Sequence, residues 1–143
     1  MKLVEKHHIK PTHKFYKECD ALCFLSKNLY NASNYIIRKE FISNNIYIPS
    51  GTLVKQLRAE NNIDFRRLPS KVGNEVIRIL DRNWKSFFAI IKDWKKNPSK
   101  YLGRPGLPKY KNKKKGRNIV VYDLQAISSK ELKKEKLNYQ RQT

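Results

Sequence analysis

The sequence predicts a mainly α protein with a small β component, in which a helical bundle is inserted between an N-terminal strand and a returning strand. Long stretches whose apolar residues recur every three or four positions carry the period of amphipathic helices. Short β-prone runs flank them, one within Met1 to Lys10 and one at Ile119-Val120-Val121-Tyr122. A third observation bounds the function. The 143 residues hold 32 Lys and Arg against 12 Asp and Glu, a net charge of +20, and self-repulsion of that size favours a polyanionic partner.

The elements follow in order. Residues 1–11 read as a strand with Leu3 and Ile9 apolar, closed by Pro11. From about His13 the period becomes helical, with Phe15, Cys19, Leu22, Leu25 or Ser26, Leu29, Ala32, Ile36 and Phe41 on one side. Thr12 is placed to cap this helix, and Lys14, Lys17, Lys27, Asn31, Asn34 and Arg38 form its expected polar face. Ser50 is the expected cap of a shorter helix with Leu53, Val54 and Leu57, fading near Asn61-Asn62. A third helix starts at Pro69 or Ser70. Its stripe of Val72, Val76, Ile79 or Leu80, Phe87, Ile90 or Ile91 and Trp94 ends where Pro98 forbids continuation. Trp84, Phe87, Phe88 and Trp94 fall in core register. The units are thus a strand at 1–11, a helical bundle at 12–97, a basic track with a returning strand at 98–127, and a tail at 128–143 with only Leu132 and Leu137 to bury.

The basic track is the functional signal. Lys95, Lys96, Lys100, Arg104, Lys109, Lys111, Lys113, Lys114, Lys115 and Arg117 occur in 24 residues that contain no Asp or Glu. Pro105 and Pro108 fix their own φ and bias their neighbours away from helix, so the side chains fan out along an extended backbone. Such a track can follow phosphates, and Tyr110 offers a ring on which an unpaired base stacks. A membrane partner is not expected. No run of 18 apolar residues or signal-peptide core occurs in the sequence.

Catalytic and metal chemistry find no support in the residues. Cys19 and Cys23, the only cysteines, sit four apart without zinc-site spacing and read as small buried residues in a reducing compartment. The carboxylates are scattered, and no glycine-rich phosphate loop or nucleophile elbow occurs. No metal or other cofactor is expected.

The phrases Phe24-Leu25-Ser26-Lys27-Asn28-Leu29-Tyr30-Asn31, Asn83-Trp84-Lys85-Ser86-Phe87-Phe88 and Gly103-Arg104-Pro105-Gly106-Leu107-Pro108-Lys109-Tyr110-Lys111, after the N-terminal strand, together resemble the TnpB (OrfB) proteins of insertion sequences. That family comprises transposase-type, RNA-guided DNA endonucleases related to type V CRISPR effectors. The resemblance spans about residues 1–130. It implies a helical recognition bundle inserted between strands of a wedge barrel, left incomplete here, with the basic track leading back into the barrel. The implied partners are a guide RNA from the transposon end and a double-stranded DNA target, in a bacterial cytoplasm and on the nucleoid when bound. By position in the family, Ser50, Ser70, Lys71 and Asn74 are implied to read a short DNA motif beside the target; plain helix capping is the other reading of the two serines.

The family's acidic nuclease residues and Cys-rich zinc insert lie C-terminal to everything in this sequence, so catalysis by this polypeptide is not expected. Two further readings stand beside a recognition module: a stand-alone DNA- or RNA-binding regulator derived from such a protein, and an inert remnant. Reading Lys136 to Thr143 back through A/T-rich codons with one inserted A gives KLKLSKTN, an alternating peptide suited to a barrel strand. The terminal residues are then either out-of-frame sequence after a frameshift, or a natural linker or fragment boundary.

Overall fold

The computed structural model describes residues 3–122. Helix α1 spans Tyr16–Asn44, α2 Ser50–Ala59, α3 Ile63–Arg66 and α4 Ser70–Lys96, and a 3-10 turn follows at Pro98–Lys100. The protein is mainly α, as its periodicity predicts. The tail at 128–143 lies outside the described residues.

Helix α1 begins later than expected. Thr12 caps nothing: two turns precede the helix, the Phe15 N–H is taken by His13 Nδ1 at 3.1 Å, and Phe15 at the cap position makes no side-chain capping bond. The helix ends at Asn45, whose φ of 55° is left-handed and whose N–H returns to the Phe41 carbonyl. The serines expected as caps are instead the first helical residues of α2 and α4. Pro49 and Pro69 hold the cap positions, with no side-chain capping bond at either.

One element escaped the periodicity. Asn61 turns the chain at φ 50°, and the Asn62 side chain accepts from the N–H groups of Asp64 and Phe65, capping the single turn of α3. This turn buries Phe65 beside Gly73, where an added Cβ would come within 3.1 Å of the ring, so the glycine lets α3 approach α4.

The core lies between α1 and α4. Contacts step from Leu29 near Gly73, through Asn34 on Trp84, to Phe41 on Phe88, so these two long helices run in the same sense. Helix α2 returns between their ends and buries Leu53 and Leu57. Trp84, fully buried, is the hub: its ring meets Phe41 at 5.4 Å, Tyr47 at 5.8 Å and Phe87 at 5.8 Å, two of these edge-to-face. The Tyr47 hydroxyl donates to Asp81, and burial followed by this bond pushes the Tyr47 phenol far above its ordinary range.

No strand occurs among the described residues. Residues 3–10 hold no regular structure, with Leu3 89% exposed. Ile119 gives its carbonyl to the Ser26 hydroxyl at 2.8 Å instead of to a strand. β-propensity describes fitness for a paired, half-buried surface. Among the described residues neither run has a strand partner, and α1 takes up the first carbonyl of the second run.

Candidate nucleic-acid interface

Lys27, Asn31, Asn34 and Arg38 are spaced four, three and four residues apart, so they share one side of α1. The sequence marks this side as solvated. Lys27 and Asn34 are in fact buried, and the reason lies in the basic track. An extended segment leaves its backbone groups without partners, and this side of α1 supplies them. Arg38 and Asn34 donate to the Pro108 carbonyl at 2.8 and 3.0 Å. Asn31 donates to the Lys111 carbonyl and accepts from the Lys111 N–H, both at 2.9 Å. The Lys27 ammonium donates to the Lys113 carbonyl. Further along, the Asn118 N–H bonds the Cys23 carbonyl at 3.2 Å and its amide donates to Ser26 Oγ at 3.1 Å. Residues 108–119 therefore run antiparallel to α1, stitched to it by side-chain to backbone hydrogen bonds.

Residues 112–116 form a tight turn on that path. Asn112 Oδ1 accepts from the N–H groups of Lys114 and Lys115, and the Gly116 N–H returns to the Asn112 carbonyl. A Cβ at Gly116 would lie 2.3 Å from that carbonyl oxygen, so the turn closes only around glycine. The three lysines 113 to 115 are thereby held on an exposed bend.

The predicted contact residues fall into two groups. Lys95, Lys96, Lys109, Lys113, Lys114 and Lys115 are exposed with no carboxylate partner among the described residues. Four others are engaged within the fold. Lys100 lies 3.6 Å from Asp93, the Arg104 guanidinium sits 5.9 Å from the Trp94 ring, and the Lys111 ammonium lies 5.1 Å from the Tyr30 ring. Arg117 grips Asp20 through two bonds at 2.8 and 3.1 Å and covers Phe24 at 5.0 Å. That grip holds the Asp20 carboxyl below its ordinary range and raises the guanidinium further. Tyr110 keeps 46% of its surface exposed while Arg38 lies 5.0 Å from its ring.

Burial holds the Lys27 ammonium below the ordinary lysine range, with the Arg117 charge acting in the same direction. It is shielded by the Phe24 ring, 3.9 Å away. Two signals in the sequence were missed. The i, i+4, i+7, i+11 set on α1 is the scaffold of the track, and Asn34 joins track to core because its Oδ1 accepts from Trp84 Nε1 at 3.0 Å while its amide holds Pro108.

The residues implied for DNA-motif reading do not all come together. Ser70, Lys71 and Asn74 share the start of α4, with Ser70 and Lys71 exposed. Asn74 Oδ1 is buried without a hydrogen-bond partner among the described residues. Ser70 also faces a cleft lined by Arg58, Asn61 and Arg66 at the C-terminal end of α2. Ser50 is at the other end of α2, about 12–15 Å away at a rise of 1.5 Å per residue. Among the described residues no helix is long and apolar enough to cross a membrane, and no group of three His, Cys, Asp or Glu side chains could hold a metal ion. Cys19 and Cys23 are free, half-buried thiols.

Comparisons with protein-family models, with curated proteins and with solved structures give no match to this chain.

Proposed function

We propose that this chain is a nucleic-acid-binding recognition and wedge portion of a TnpB (OrfB) transposase-type, RNA-guided DNA endonuclease, binding a guide RNA and a double-stranded DNA target without itself cutting. One observation carries the binding part of this reading. The backbone of the segment from Pro108 to Ile119 is hydrogen-bonded to α1 at five of its residues, Pro108, Lys111, Lys113, Asn118 and Ile119, which leaves Lys109, Lys113, Lys114 and Lys115 directed by a fixed path and exposed. A track ordered before binding loses less conformational entropy when phosphates arrive. The endonuclease family, the guide RNA and the wedge barrel rest on the sequence phrases alone. In this reading residues 1–11 and Ile119 to Tyr122 become strands when the rest of a barrel pairs with them.

Motif reading is assigned to the start of α4, where Ser70, Lys71 and Asn74 lie together and where the Ser70 hydroxyl is not used for capping. Ser50 is left as a phosphate contact at the start of α2, where the first N–H groups of a helix favour anions.

Salt dependence of binding tests the reading. If about six phosphates of single-stranded RNA are engaged, the log–log slope of affinity against salt is near −4. Lys109→Glu with Lys114→Glu lowers that slope and weakens binding. Heparin bound as tightly as RNA at equal charge would sink the nucleic-acid reading and leave a general polyanion binder.

A further inference from the structure

The strap Arg104 to Pro108 crosses the seam between α1 and α4 and leaves a groove of about 780 Å³ on one side. Its walls are apolar: Phe41 and Ile42 from α1, Phe87, Phe88 and Ile91 from α4, and Leu107 from the strap. Two cations, Lys95 and Arg104, also line it, and among the described residues no carboxylate does. Ile42 is 65% exposed. Most pockets of this size that bind small molecules combine apolar walls with a few convergent polar groups. Here the polar groups are positive, which selects an anion carrying a flat or bulky apolar part.

We propose that this groove takes the base of an unpaired nucleotide, with its phosphate held between Lys95 and Arg104. Continuity supports a nucleotide over an apolar peptide. Lys95 and Arg104 belong to the basic run that continues as the track, so a strand following the lysines of 109 to 115 passes the groove at its Arg104 end. The Phe41, Phe87 and Phe88 rings, packed with centroids 5.6 to 6.4 Å apart, supply an aromatic wall, and Asn45 supplies an amide for a base edge. Base contact with aromatic walls is tolerant of sequence and adds to phosphate affinity. The proposal deepens the nucleic-acid reading above and rests on it.

Two substitutions isolate the groove from its charge. Ile42→Glu places a carboxylate in the lining. Ile46→Glu makes the same charge change at a residue 55% exposed and outside the lining. Both positions are exposed, and unchanged thermal melting of the variants confirms that each folds. Affinity of the full chain is measured for a twelve-residue oligoadenylate and for an abasic phosphodiester of the same length. The expected result is that Ile42→Glu weakens oligoadenylate about tenfold more than Ile46→Glu does, while for the abasic strand, which keeps only the phosphate contact, the difference between the two variants is smaller. Equal effects on oligoadenylate would overturn the proposal and leave the groove to an apolar segment of a protein. Failure of the unmodified chain to bind either strand would overturn the nucleic-acid reading itself.

Discussion

Helix α1 packs against two different partners with two different kinds of force. Toward α4 it presents Leu29, Ile37 and Phe41, and the seam is held by apolar burial around Trp84. Toward the basic track it presents Ser26, Lys27, Asn31, Asn34 and Arg38, and that seam is held by directed hydrogen bonds to the backbone. Apolar burial is non-directional and sums over a whole face. Hydrogen bonds contribute little each in net terms but fix the position of what they hold, and they are costly to leave half-made. The first seam therefore sets whether the protein folds, and the second sets where the lysines stand.

Removing the hub tests this division most severely. Trp84→Ala leaves a cavity among Phe41, Tyr47 and Phe87 and an unpaired Asn34 Oδ1, so it is expected to lower stability by about 3–5 kcal/mol. Urea unfolding measures this directly. A loss below about 1 kcal/mol would mean that the aromatic cluster does not govern folding.

The same contrast explains what the sequence could disclose. Periodicity records which face of a helix is apolar, so α1, α2 and α4 were legible, as was the core position of Trp84, Phe87 and Phe88, whereas Trp94 in the same register is half-buried outside the core cluster with Arg104 over its ring. It does not record what a polar face meets. Lys27 and Asn34 look solvated because Lys and Asn usually are, and they are covered by a segment 86 and 74 residues away, joined at Asn34 by Trp84 of α4. Helix α3 is a single turn and has no period to detect, although Asn62 two residues before Asp64 carried its capping signal. The run Ile119 to Tyr122 has strand-forming residues, yet its neighbour among the described residues is α1. Charge was legible as a run of lysines; which of them are engaged by Asp20, Asp93 or a ring was not.

A smaller and local loss is expected in the polar seam. Asn31 holds both backbone groups of Lys111, so Asn31→Ala removes two hydrogen bonds at once. Each is worth about 0.5–1.5 kcal/mol net, giving about 1–3 kcal/mol for the attachment of the track. Amide hydrogen exchange distinguishes attachment from global stability: the Lys111 N–H is expected to lose protection while the amides around Trp84 keep theirs. Equal loss at both places would show that the two seams unfold as one unit.

The end of the track offers the smallest effect, and one with a defined pH window. Hydrogen bonding from Arg117 lowers the Asp20 pKa from the ordinary value of about 3.9. A carboxylate whose folded value is depressed contributes stability that is complete above its unfolded value and is lost as pH falls through the lower folded one. The contribution of this exposed pair is accordingly present above about pH 4 and fades in more acidic solution, and salt weakens it because both groups face water. In Arg117→Gln the Asp20 carboxyl is expected to titrate in the ordinary range by NMR, and the stability difference from the parent protein should vanish at the acid end. An ordinary Asp20 titration in the parent protein would show that the Arg117 grip does not persist in solution, leaving Asn118 on Cys23 and Ser26 as the anchor of this end of the track.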